Sequence, residues 1–150
     1  MKNALTATAT AAIALVVASA ALAGAKPASR SATVATAHSG LGRILVDGRG
    51  RSLYLFEKDR HGRSACSGVC AAYWPPLLTN GKATAINGAK RTLLGSIRRG
   101  GGSRQVTYAG HPLYFFSGDS KRGQTNGEGL HDFGAGWYVL TPSGKKIDHD

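Results

Sequence analysis

LYLFEKD at residues 53–59 returns as LYFFSGD at residues 113–119, and the reading of the fold starts from that echo. Each copy begins three residues after a glycine, Gly50 or Gly110, with Arg51 or His111 next to that glycine. The shared string is G-[RH]-x-L-Y-[LF]-F-x-x-D. Successive side chains of a strand point to opposite faces. Leu53 and Leu55 therefore share one face and Tyr54 and Phe56 the other. Leu113 with Phe115, and Tyr114 with Phe116, repeat the division. Both faces are apolar or aromatic, so each strand is expected to be covered on both sides.

Outward from the two copies, the chain is punctuated by Gly, Asn, Asp and Pro into runs of strand length. Residues 44–46 lead through Asp47, Gly48, Arg49 and Gly50 into 52–56. Residues 105–108 lead through Ala109 and Gly110 into 112–116. Tight glycine-containing turns between such runs predict antiparallel hairpins. A further strand is expected at 136–140, with a turn at 142–144. Each unit ends in a tryptophan followed by apolar residues, Trp74 with Leu77 and Leu78, and Trp137 with Val139 and Leu140. A unit of about 60 residues present twice points to a duplicated hairpin-based lobe and is too short a series for a stacked solenoid.

The 21 glycines and short apolar runs argue against long helices. One helical turn is expected, capped by Ser64, carrying Cys66 and Cys70, and stopped after Trp74 by Pro75. Residues four apart share a helix face at a Cα separation of roughly 6 Å, within the range a disulfide accepts. Outside the reducing cytosol such a pair is expected to be oxidised. The expected fold is all-β: a small antiparallel sheet domain of two related hairpin-based repeats, with a short helical turn carrying a Cys-x3-Cys disulfide.

Residues 1–23 read as a signal peptide, with Lys2, a short apolar run and Ala21-Leu22-Ala23 as the cleavage pattern. The run is too short to span about 30 Å of hydrocarbon comfortably. No cysteine follows for lipidation, and no other run could cross a bilayer. Residues 24–40, rich in Ala, Ser and Thr, are expected to be a flexible lead-in. The domain is placed at 41–150, with units at about 41–80 and 98–144. The implied location is secreted, periplasmic or extracellular.

The formal charge of the 150-residue chain is +11, and only Lys2 and Lys26 of its 19 basic residues precede Arg30. Such a surface attracts anionic partners. For an exported chain these are anionic envelope components or an acidic protein. Scattered basic residues without aromatic platforms, together with export, argue against nucleic acid.

For Tyr54 and Tyr114 the structural reading is a core ring whose hydroxyl needs one partner. For Asp59 and Asp119 it is a turn carboxylate accepting loop N–H groups, since DRHG and DSKRG follow directly. The sharper alternative has the four lining a cleft, with paired carboxylates for acid/base work. No nucleophile elbow accompanies them, so the expectation is a protein that is not an enzyme. An alternative metal site would use Asp59, His61, His131 and Asp132, ligand types suited to iron or copper. No tight H-x-x-x-H or C-x-x-C pair supports it, so no cofactor is assigned.

The two tyrosine–aspartate strings, with residues 64–70 around the cysteine pair and the Trp74-Pro75-Pro76-Leu77 string, resemble a bacterial secreted-repeat family. That family is described as predicted lipoproteins with a Y-x-[FWY]-x-x-D motif. The resemblance covers residues 41–140 and implies an exported, envelope-associated structural or binding protein with no catalytic assignment. Tyr54, Asp59, Tyr114 and Asp119 inherit only the standing of motif residues. Where many members resemble lipoproteins with a cysteine at the cleavage point, this sequence has Ala23-Gly24-Ala25.

Overall fold

The computed structural model describes residues 30–60 and 62–148. The expected signal peptide, the first part of the lead-in and His61 lie outside them. The lead-in is corrected from residue 33 onward. Thr33–Ser39 forms strand β1, paired antiparallel with β2 (Gly42–Asp47), with Val34 opposite Asp47 and Ser39 opposite Gly42. The β-branched Thr33, Val34 and Thr36 suit a pleated, half-buried surface. Val34 and Ala35 are buried against larger neighbours on β2, Val34 with Leu45 and Ala35 with Ile44 and Val46.

The turn after β2 is held by Asp47, whose Oδ1 accepts the N–H groups of Arg49 and Arg51, each at 2.9 Å. Its Oδ2 takes the Arg51 guanidinium at 2.8 Å. Ser52 bridges back to Val46, and the chain enters β3 (Tyr54–Phe56). The second unit copies this plan. β6 (Leu94–Arg98) pairs antiparallel with β7 (Arg104–Tyr108), which turns through Ala109 and Gly110 into β8 (His111–Pro112). Both turn residues have left-handed φ, 50° and 82°, the geometry of a tight hairpin. The second unit therefore begins at Leu94, a strand earlier than residue 98.

β4 (Leu78–Thr79), β5 (Thr84–Ala85), β9 (His131–Asp132) and β10 (Ala135–Val139) complete three small sheets. Their orders are β2-β1-β5, β3-β10-β9 and β4-β7-β6, with β8 on β7. All named pairings are antiparallel except β1 with β5, which is parallel.

The units are interleaved. β3 of the first pairs with β10 of the second, and β4 of the first with β7 of the second. Leu45 N–H donates to Leu140 O at 2.8 Å, and Val106 N–H donates to Leu77 O at 2.9 Å. The end of each unit thus closes the start of the other. At the centre Tyr54 and Tyr114 exchange both backbone hydrogen bonds, at 2.9 and 3.0 Å.

The period-two division of the repeated strings separates two cores. Tyr54, Phe56, Tyr114, Trp74 and Trp137 lie in one cluster. Leu53, Leu55, Leu113, Leu77 and Leu140 lie in the other. Burying a large apolar side chain contributes about 1.5–3 kcal/mol, so both layers stabilise the fold.

The helical turn is shorter than expected. α1 spans Val69–Tyr73, with Gly68 at its N-cap and Trp74 at its C-cap. Gly68 has φ 56°, which helical geometry does not admit, so Ser64 cannot cap it. Cys66 precedes the helix and is joined to Cys70 by a disulfide, with Cα atoms 5.2 Å apart. Pro75 follows the helix end, where its effect on the preceding residue stops further winding. Among the described residues no helix is long and apolar enough to cross a membrane.

Candidate functional site

The strand pairing of Tyr54 with Tyr114 throws each ring toward the loop that follows the other. Tyr54 OH donates to Asp119 Oδ2 at 2.6 Å, and Tyr114 OH donates to Asp59 Oδ2 at 2.8 Å. Each tyrosine is fastened to the aspartate of the other unit. The remaining carboxylate oxygens accept loop N–H groups, Asp59 Oδ1 from Ala65 at 2.7 Å and Asp119 Oδ1 from Asn126 at 2.9 Å. Hydrogen bonds to a charged group contribute about 1.5–3 kcal/mol each.

Both tyrosine side chains are fully buried. Burial pushes the Tyr54 phenol well above its ordinary value, and the bond to Asp119 and its charge push the same way. Burial likewise raises Tyr114, opposed by the Ser64 contact and assisted by the Asp59 charge. Asp59 is raised above the usual carboxylate range by burial, against the Ala65 N–H, the Tyr114 hydroxyl and the Arg99 charge.

The tryptophans join the units in the same crossed manner. Trp74 and Trp137 stack on one another at 3.9 Å and 6°. Phe56 stacks on Trp137 at 4.0 Å, and Phe116 lies against Trp74 at 4.5 Å. Each tyrosine meets the tryptophan of its own unit edge-on, at 5.4 Å for Tyr54 and 5.1 Å for Tyr114. Offset and edge-to-face contacts of this kind contribute about 0.5–1.5 kcal/mol beyond burial.

The joint between Tyr114 and Asp59 carries additions that the sequence does not announce, drawn from both units. Arg99 Nη1 donates to Ser64 Oγ at 2.7 Å and to Gln105 Oε1 at 2.8 Å, and its Nη2 donates to Cys66 O at 2.6 Å. Ser64 Oγ lies 2.6 Å from Tyr114 OH. Gln105, fully buried, donates from Nε2 to Leu113 O at 2.8 Å. The available signal was a glutamine beside Val106 in a short strand, which must find partners when buried.

The four motif side chains do not open on one cleft. Asp59 borders two shallow depressions of about 110 and 260 Å³, each shared with His111. Of the alternative metal set, His61 lies outside the described residues. His131 and Asp132 are exposed on β9, and Asp59 is engaged by Tyr114 and Ala65. Among the described residues no group of three or more His, Cys, Asp or Glu is placed to hold a metal ion.

A family model described as a secreted repeat of unknown function (Lipoprotein_15) matches residues 35–78 and 95–141. The chain belongs to this family. No curated protein and no solved structure matches the chain significantly. The two secreted repeats begin in β1 and β6 and end just past Leu77 and Leu140, the residues that close the opposite unit. Residues 79–94 lie between the repeats.

Proposed function

We propose that the protein is an exported, non-catalytic structural or binding domain of the cell envelope, whose cationic surface holds anionic envelope components. The observation that carries this reading is the fate of the acidic side chains. Asp47, Asp59 and Asp119 are taken up by hydrogen bonds within the fold, and Glu128 accepts the Val139 N–H at 2.6 Å. Glu57 and Asp148 share Lys146. Among the described residues only Arg51 and Lys146 of the basic side chains form ion pairs with acids. The fold thus turns most of its acids inward or against one lysine, which leaves an outer surface of unopposed Lys and Arg. Such a surface draws polyanions with a strength that salt reduces.

The engagement of the tyrosines and aspartates with one another supports a scaffolding role for the motif. The test is binding of the purified protein to anionic polymers across a salt series. Affinity falling steeply as salt rises is expected, and binding indifferent to salt would reject the reading.

A further inference from the structure

Where the segment between the two repeats meets β6, a cavity of about 600 Å³ opens to the surface. Its walls carry Lys82, Arg91 and Arg104, the hydroxyls of Thr84 and Ser96, and no carboxylate. Arg104 is aimed by Ser96, whose Oγ receives Nε at 3.1 Å and Nη2 at 2.7 Å. That bond uses one edge of the guanidinium and leaves Nη1 for a ligand. The side chains of Lys82 and Arg91 have no hydrogen-bond or ion-pair partner among the described residues. Three cations thus surround one concave space with no internal counter-ion.

We propose that this cleft binds a segment of a linear phosphodiester polymer, a site that rests on the polyanion reading above and gives it a location. One oxyanion would leave most of the space empty and two of the cations unmatched. A chain with a charge on every unit fills the volume and meets successive cations. Phosphate oxygens accept from guanidinium, ammonium and hydroxyl donors together, the set that Arg104, Lys82, Arg91, Thr84 and Ser96 provide. The lining holds no aromatic ring on which a base could stack. The polymer is therefore of the polyol-phosphate kind and not a nucleic acid. Lys82, Thr84 and Arg91 lie between the matched repeats and Ser96 and Arg104 within the second, so the connector supplies two of the three cations and the site has no duplicate.

The test uses purified protein with a labelled poly(glycerol phosphate) over a salt series. The Lys82→Ala, Arg91→Ala, Arg104→Ala triple variant is set against a control triple, Arg49→Ala, Lys121→Ala, Arg122→Ala, of equal charge change. Loss of three phosphate contacts is expected to lower affinity at least about tenfold and to reduce the salt slope by about two. The control should lose much less. A Lys82→Ala, Arg91→Ala double variant, which keeps the Arg104–Ser96 contact, should lower the slope by about 1.4. Equal losses in both triples overturn the site while leaving the polyanion reading standing. Failure of the unmodified protein to bind any polyanion at low salt overturns that reading itself. An oligonucleotide or polyglutamate of equal charge bound as tightly through the same residues overturns the choice of polymer.

Discussion

The Tyr54 hydroxyl donates to Asp119, 65 residues away, and not to Asp59 at the end of its own motif. The reciprocal bond, Tyr114 to Asp59, makes the pair of motifs one crossed fastening. A duplicated string has therefore become a means of holding the duplicates together. Each copy supplies the donor for one joint and the acceptor for the other.

Double-mutant cycles should recover this crossing. Tyr54→Phe and Asp119→Asn are each expected to cost about 1–3 kcal/mol, because a buried partner is left unsatisfied. Their combination should show a coupling of at least about 0.5 kcal/mol, as contacting residues do. Tyr54→Phe with Asp59→Asn should couple less than either crossed pair. Denaturation midpoints of the four-member sets decide it, and stronger coupling within one motif would overturn the crossed assignment.

The interleaving predicts that neither unit folds alone. Residues 24–86 lack the strand end at Leu140 that closes β2, and residues 87–150 lack Leu77, which closes β7. Each half also loses one member of the Trp74–Trp137 stack. Separately expressed halves should show no cooperative thermal transition, and an equimolar mixture should regain one. A half that melts cooperatively by itself would show that its own contacts suffice.

Reading the sequence locally found what is local. The alternation of Leu and Tyr is a property of adjacent residues, and it placed Leu53 and Tyr54 in different cores without knowledge of their partners. The turns at Asp47 to Gly50 and at Ala109–Gly110 were equally visible, because their residue types answer to backbone geometry. What escaped depends on remote neighbours. β1, with its small Ala and Thr residues, looks like linker until Ile44 and Val46 are laid beside it. β6 is obscured by Gly95 and Ser96. Ser64 has the composition of a helix cap, yet Gly68 starts the helix and Ser64 turns to Tyr114 and Arg99. The crossed bonds are hidden for the same reason, since the motifs are symmetric and a within-motif pairing reads identically in sequence.

Alkali should unfold the protein through Tyr54 and Tyr114. Free phenols lose their protons near pH 10, while the folded ones are held protonated to higher pH. Above pH 10 the unfolded chain therefore binds fewer protons, and stability falls as pH rises. The contribution of the two groups is fully present below pH 10 and declines by up to about 1.4 kcal/mol per pH unit for each. Phenolate absorbance from these residues should appear together with loss of far-ultraviolet circular dichroism. Their ionisation in a protein that keeps its fold would contradict the burial argument.

One position should gain from substitution. Asp132 pairs with Ala135 across a two-residue loop, Phe133–Gly134, whose φ angles are 58° and 90°. This is the tight hairpin geometry that prefers asparagine then glycine. A left-handed conformation costs a residue with a bulky side chain roughly 1–2 kcal/mol, and asparagine tolerates it better. The Phe133 ring returns little, being 40% exposed and 6.1 Å from Tyr73 at a tilted 46°. The Lys58 bond to Phe133 reaches its backbone carbonyl and survives the change. Phe133→Asn is thus expected to raise stability by about 0.5–1.5 kcal/mol. Phe133→Gly should gain less, because glycine gives up more freedom on folding. Urea midpoints of the two variants check the order, and a lowered midpoint for Phe133→Asn would mean that the contact with Tyr73 outweighs the backbone strain.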